Sequence, residues 1–148
     1  MMTLLFVALT SCALSLAIDF AAGAWLTSSV PLIGSFARLS LSKNAGIAFS
    51  IKIPSPWQEI VILGALAAVF MLAMKSALTR FSSVGYGMIF GGAVANLIDR
   101  LPDGTVTDFI AVGTFPVFNV ADSCITVGVA LLLLDGWIHH KKTATGSR

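Results

Sequence analysis

Five carboxylates, Asp19, Asp99, Asp108, Asp122 and Asp135, lie within or beside long uncharged stretches of the chain. An Asp at the centre of a bilayer costs at least ~2.5 kcal/mol on insertion scales, so each is a functional candidate by default. Asp108 sits in Val106-Thr107-Asp108-Phe109-Ile110 and Asp122 in Phe118-Asn119-Val120-Ala121-Asp122, both among mostly apolar neighbours. The spacer 111–117, with Gly113 and Pro116, is able to fold back and bring the two together. Two carboxylates in a site of low dielectric do not both ionise; they share a proton. The ionised one then takes a proton from water while the protonated one hydrogen-bonds a scissile carbonyl, as in aspartic proteases. The same spacing also fits two side chains that each merely cap or polarise a helix end.

The other candidates have simpler readings beside the chemical one. Asn96 lies one turn before Asp99, and Arg100 follows directly, which fits a structural polar cluster at a helix C-terminus. Pro102-Asp103-Gly104 is a turn sequence with a solvated Asp. Asp135 precedes the His139-His140-Lys141-Lys142 cluster by one turn, at an interface where a charge is cheap. No Ser-His-Asp or Cys-His system is evident, because both histidines sit near the C-terminus with only Asp135 nearby. Ser42 and Lys43 are adjacent in an alternating segment and point to opposite faces of a strand. No phosphate-cradling loop appears, and Cys12 and Cys124 are too far apart to suggest a disulfide framework or a metal site.

The elements that hold these residues are apolar. The 148 residues are 57 % hydrophobic and 11 % charged, against ~25 % charged in an ordinary soluble domain. The mean hydropathy is +0.93. So small a chain cannot hide that much apolar surface from water, which excludes a soluble enzyme or a disordered chain. The net charge of +2 is too small to indicate a nucleic-acid partner. The expectation is an all-α polytopic membrane protein of one domain, residues 1–148, with four transmembrane helices at about 4–26, 57–78, 81–99 and 118–138. A polar cytoplasmic tail, 141–148, follows. Gly87 and Gly91, four apart, with Gly92 beside them, let the third helix pack closely against a neighbour.

The first segment has no basic region ahead of it and no convincing cleavage site before Asp19, so it reads as a retained helix rather than a signal peptide. Leu9-Thr10-Ser11-Cys12 only faintly resembles a lipobox. With an even helix count, Lys75, Arg80, Lys141, Lys142 and Arg148 face one side, and Arg38, Lys43, Lys52 and Arg100 the other. The positive-inside rule then puts both termini in the cytoplasm, with segments 27–57 and 100–117 outside. Between helices 1 and 2, residues 37–42 alternate apolar with polar, which predicts a short strand. Asn44-Ala45-Gly46 supplies a turn, and 47–53 returns as a second strand before Pro54 and Pro56. Together they form a small outward-facing β-cradle.

At this point the sequence resembles a known family. SKNAGIAFS (Ser42 to Ser50), GGAVANLIDR (Gly91 to Arg100), VTDFI (Val106 to Ile110) and FNVADSCITVG (Phe118 to Gly128) occur in the order found in signal peptidase II, the bacterial lipoprotein signal peptidases. Each motif alone is weak, but four in order are specific, and the resemblance runs from about Ile18 to Leu134. It implies four transmembrane helices, an outward β-cradle, and a catalytic aspartate pair at Asp108 and Asp122. Supporting or substrate-binding roles fall on Asn44, Asn96, Arg100 and Asn119, with Asp99 as a structural position. The implied substrate is a prolipoprotein whose lipobox cysteine carries diacylglycerol, cut on the amino side of that cysteine without metal or organic cofactor. The implied setting is the bacterial inner membrane, with the site at its outer face, lipid as surroundings, and a monomer adequate for the chemistry. Three departures stand out. Asp19 is followed four residues on by Gly23 where the family usually has Lys, Ala95 stands where Gly is common, and the spacer between the aspartates is short.

Two other readings use the same residues. A small transporter would use Asp19, Asp99, Asp108 and Asp122 as a proton relay, yet a relay places its acids at successive depths and these cluster at one edge. A family member without activity would act as a binder, but both aspartates and all three asparagines are present.

Overall fold

The computed structural model describes residues 1–46 and 57–145. Its elements in chain order are α1 (Met2–Trp25), β1 (Val30–Ile33), β2 (Ala37–Asn44), α2 (Trp57–Lys75), α3 (Arg80–Arg100), β3 (Val106–Val112) and α4 (Val120–Thr145). Three of the helices are long and apolar enough to cross a membrane, over Met2–Trp25, Arg80–Arg100 and Val120–His139. α2 has 19 residues, which at ~1.5 Å per residue falls just short of a ~30 Å hydrocarbon core. α4 continues through the first residues of the expected polar tail. Nothing in the His, Lys and Thr residues of 139–145 breaks a helix.

α3 is the central helix, and glycine is the reason. Gly91 and Gly92 are adjacent and so point ~100° apart around the helix. A Cβ on Gly91 would run into Ser11 Oγ and the Ala8 carbonyl of α1, and one on Gly92 into the Ala121 carbonyl of α4. Both neighbours therefore approach to backbone distance, as in small-residue helix packing. The start of α3 is fixed by a capping box: Thr79 Oγ1 accepts from Ser82 N, and Ser82 Oγ accepts from Thr79 N at 2.8 Å. The same Thr79 hydroxyl donates to Asp135 Oδ1 at 2.9 Å, tying α3 to α4. Asp135 is therefore a structural partner and not simply a solvated interfacial charge. At its other end α3 stops at Arg100; Leu101 still has helical backbone angles, and Pro102, which lacks an N–H, cannot continue the ladder.

A three-stranded antiparallel sheet, β1-β2-β3, covers the end of the bundle where α1 and α3 finish. β2 is the strand that the alternating pattern predicts. Gly46 N donates to Asn44 Oδ1 at 2.8 Å, closing the expected turn. The expected return strand at 47–53 lies outside the described residues. The surprise is β3, which comes from between helices 3 and 4. It pairs with β2 so that Ser42 faces Asp108, Lys43 faces Thr107 and Asn44 faces Val106. The cradle is thus built from the segments between helices 1 and 2 and between helices 3 and 4, not only from the first. After β3 the chain turns at Gly113 (φ 53°) and folds back. Phe118 N donates to the Ile110 carbonyl at 3.0 Å, and Ile110 N to the Phe118 carbonyl at 2.8 Å. The fold-back of the spacer is thereby realised, and it sets the start of α4 beside β3.

If these approaches hold the bundle together, Gly92→Ala destabilises it by roughly 1–3 kcal/mol through overpacking. Gly64→Ala on α2, where an added Cβ meets nothing within 4 Å, leaves stability unchanged or raises it by up to ~1 kcal/mol. Unfolding of both variants in mixed micelles by denaturing detergent reads the difference.

Candidate active site

Period-two geometry decides which sheet residues share a face. Ser42, Asn44, Val106 and Asp108 fall on one side of the β2–β3 pair, and Lys43 and Thr107 on the other. On the first side, Asn44 Nδ2 donates to Asp108 Oδ2 at 2.9 Å. On the second, Lys43 Nζ donates to Thr107 Oγ1 at 3.1 Å and pairs with Asp103 at 3.2 Å.

Asp122 is placed by the first turn of α4. Asn119 caps that helix, its Oδ1 accepting from Asp122 N at 2.8 Å. Its Nδ2 reaches across to Asn96 Oδ1 on α3 at 2.9 Å. Asn96 Nδ2 in turn donates to Asp122 Oδ1 at 2.8 Å. Asn96, Asn119 and Asp122 close a ring in which one residue is both helix cap and cross-helix bridge. Asn119 is fully buried, so its side-chain bonds are made in a medium where an unmade one is costly.

The three residues read as one cluster at the end of α3 separate in the structure, because each finds a partner in a different element. Asn96 goes to the ring just described. Asp99 accepts from Thr107 N at 2.5 Å and staples α3 to β3. Arg100 Nη2 donates to the Gly46 carbonyl at 2.5 Å, holding the turn after β2.

Burial raises the carboxyl of Asp108, which is 2 % exposed, to a pKa of about 6. The Asn44 hydrogen bond opposes that rise, the charge of Asp122 adds to it, the Arg100 guanidinium opposes it and Asp99 adds to it. Asp108 Oδ1 is buried without a hydrogen-bond partner among the described residues. Asp108 and Asp122 thus sit close enough for the charge of one to oppose ionisation of the other. Asp19 lies within reach of the charges on Asp99, Asp108 and Asp122. Four acids therefore gather at the sheet end, while Asp135 stands at the far end of α4. This is not the series of successive depths that a proton relay needs.

A groove of about 860 Å³ runs from this cluster down between α2, α3 and α4. Asn44, Asn96, Arg100 and Asp122 line its polar end, and Val61, Leu66, Ile89 and Val129 line its apolar length. Asp108 is reached from it through Asn44. Among the described residues no group of three His, Cys, Asp or Glu is arranged to hold a metal ion. Thr107 went unread in the sequence although it joins Asp99 to Lys43; its only signal is a β2 partner more than sixty positions away.

Apolar spanning helices, a capping sheet and an acidic cluster at the head of a long apolar groove define a polytopic membrane protein with an acidic site near the ends of its helices. Comparison with known proteins narrows this class. The family model described as signal peptidase (SPase) II matches residues 11–138. The chain is 40 % identical over 139 residues to the lipoprotein signal peptidase of Serratia proteamaculans, covering 83 % of this chain and 82 % of that one. It is 44 % identical over 117 residues to the lipoprotein signal peptidase of Caulobacter vibrioides, covering 74 % and 69 %. A bacterial membrane enzyme solved by the in meso method at 2.3 Å superposes with a TM-score of 0.82 at 27 % identity, over 100 % of this chain and 93 % of the other. The chain belongs to the signal peptidase II family and is a peptidase of the bacterial inner membrane.

The raised pKa of Asp108 has a consequence for stability. The fold favours its protonated form, a contribution complete below the ordinary value of 3.8 and lost as pH rises through about 6. Asp108→Asn keeps an acceptor for Asn44 and removes the ionisation. Its unfolding midpoint is expected to match or exceed wild type at pH 8, and the wild-type decline between about pH 4 and 6 to flatten. Thermal unfolding across that range checks both.

Proposed function

We propose that this chain cleaves signal peptides from prolipoproteins on the amino side of a diacylglyceryl-modified cysteine, with Asp108 and Asp122 as the catalytic pair. The observation that carries this reading is the pair of sets Asn44–Asp108 and Asn96–Asn119–Asp122, which put one carboxylate on the groove wall and the other directly behind Asn44, using donors that add no charge. Asp122, on the groove wall, is the ionised base, and Asp108, with its burial-raised pKa, holds the shared proton. Asp122 takes a proton from water, and the resulting hydroxide bonds to the scissile carbonyl carbon. Asp108 gives its proton to the carbonyl oxygen. On collapse Asp122 returns its proton to the departing cysteine nitrogen, the C–N bond breaks, and the new carboxyl releases a proton that restores the pair.

The groove suits such a substrate. Its apolar walls accept a signal helix, and entry from the side spares a lipid-anchored chain from leaving the bilayer. Arg100 and Asn44 at the polar end are placed to hold substrate backbone. We assign both termini to the cytoplasm and the sheet to the outer face, from the distribution of basic residues. One copy of the chain, as a single domain, carries every group the reaction uses.

Cleavage of a purified diacylglyceryl-modified prolipoprotein, followed by gel shift, tests this. Asp108→Asn and Asp122→Asn are each expected to lose about 10³-fold or more in turnover while folding as wild type does. Wild-type kcat/KM should fall as pH rises through about 6, when Asp108 gives up its proton. Full activity in either variant, or no cleavage of lipidated substrate by wild type, removes the assignment.

A further inference from the structure

A second cavity, of about 650 Å³, lies on the other face of the β2–β3 pair, between the last turns of α1 and the end of α3. Asp19, Gly23, Lys43, Asp99 and Phe20 are among its walls. Asp19 is the unusual member. It is 3 % exposed, and neither of its carboxylate oxygens has a hydrogen-bond partner among the described residues. Buried polar groups in folded proteins find partners, and a carboxylate left without one is expensive. The other polar groups facing this cavity are already engaged. Asp99 accepts from Thr107 N, and the Lys43 ammonium is held by Thr107 Oγ1 and Asp103.

Gly23 leaves room for a donor. It stands one helical turn beyond Asp19, also lines the cavity, and a Cβ built on it meets nothing within 4 Å. The depth is informative too. Trp25, two residues further on, is 82 % exposed, and a Trp at the end of a spanning helix marks the headgroup level. Cationic amines are found at that level. We propose that this cavity is a binding subsite for a primary ammonium group, borne by a lipid headgroup or by a small free amine, with the Asp19 carboxylate as its acceptor. The apolar walls take the carbon adjoining the ammonium, and the opening at Gly23 admits it. This subsite faces away from Asn44 and Asp108, and its occupancy is read by unfolding rather than by peptide cleavage.

The test is thermal unfolding of the purified full chain in nanodiscs. The discs are of phosphatidylcholine alone, phosphatidylcholine with phosphatidylethanolamine, or phosphatidylcholine with added ethylammonium chloride. Phosphatidylcholine supplies a quaternary ammonium without N–H donors and serves as the reference. Phosphatidylethanolamine is expected to raise the wild-type midpoint by about 3–5 °C, as for any ligand bound only by the folded state. A saturable rise with ethylammonium assigns the site to free amines as well, and its absence assigns it to the lipid. Asp19→Asn should lose the rise. Gly23→Lys places a tethered ammonium at i+4 from Asp19; it should unfold at the raised midpoint in phosphatidylcholine alone and gain nothing further from phosphatidylethanolamine. An unchanged wild-type midpoint with both amines overturns the proposal. So does a rise that survives in Asp19→Asn, or a full additional rise in Gly23→Lys. Loss of prolipoprotein cleavage alone bears on the catalytic pair and not on this subsite.

Discussion

A carboxylate held at the edge of hydrocarbon needs hydrogen-bond donors, and each cation brought in to supply them adds a further charge to desolvate. The site meets that constraint with amides. Asn44, Asn96 and Asn119 each give an N–H and carry no charge, so the carboxylates are oriented without being neutralised. Had lysines or arginines filled those positions, both acids would be driven to the same ionised state. Arg100, the one cation among the described residues that lines the groove's polar end, donates to the Gly46 carbonyl, and its charge only partly offsets the burial that raises Asp108.

The amide ring spans two helices, so it depends on how closely α3 and α4 approach. Gly92 sets that distance against the Ala121 carbonyl, one residue before Asp122. Backbone packing and the position of a candidate reacting group are therefore the same contact seen from two sides. α1 closes on the opposite side of α3 at Gly91. α2, by contrast, leaves Ile60, Leu63, Phe70, Met71 and Leu72 largely exposed, as expected of a helix that forms one wall of an open groove and meets lipid on its other side.

Much of this was legible in the sequence, for identifiable reasons. The long uncharged runs gave α1, α3 and α4 because lipid demands continuous apolar length, and α2 was marked by its shortness. The alternation at 37–42 read correctly as β2. β1 was not read, because Val30-Pro31-Leu32-Ile33 neither alternates nor favours a strand with Pro in it. β3 was not read either: most of its residues are buried on both faces, which erases the period-two signal. Its partner β2 lies across two helices, and local patterns are blind to that pairing. For the same reason the sequence grouped Asn96, Asp99 and Arg100 by proximity along the chain, whereas in the fold they serve three separate contacts.

The β2–β3 pair is a partition with a different cavity on each side, one holding Asn44 above the groove and the other holding Lys43 and Thr107 beside Asp19. Successive strand residues alternate between the two compartments. The register with β3 slips by one between Leu39 and Ser42, so an odd change is accommodated there. Beyond that irregularity, over 42–44, a one-residue change would exchange the contents, delivering an ammonium to the carboxylate pair and an amide to the lone acid of α1. That short stretch can therefore shift only in even steps, and its parity is inherited by two sites that share no side chain.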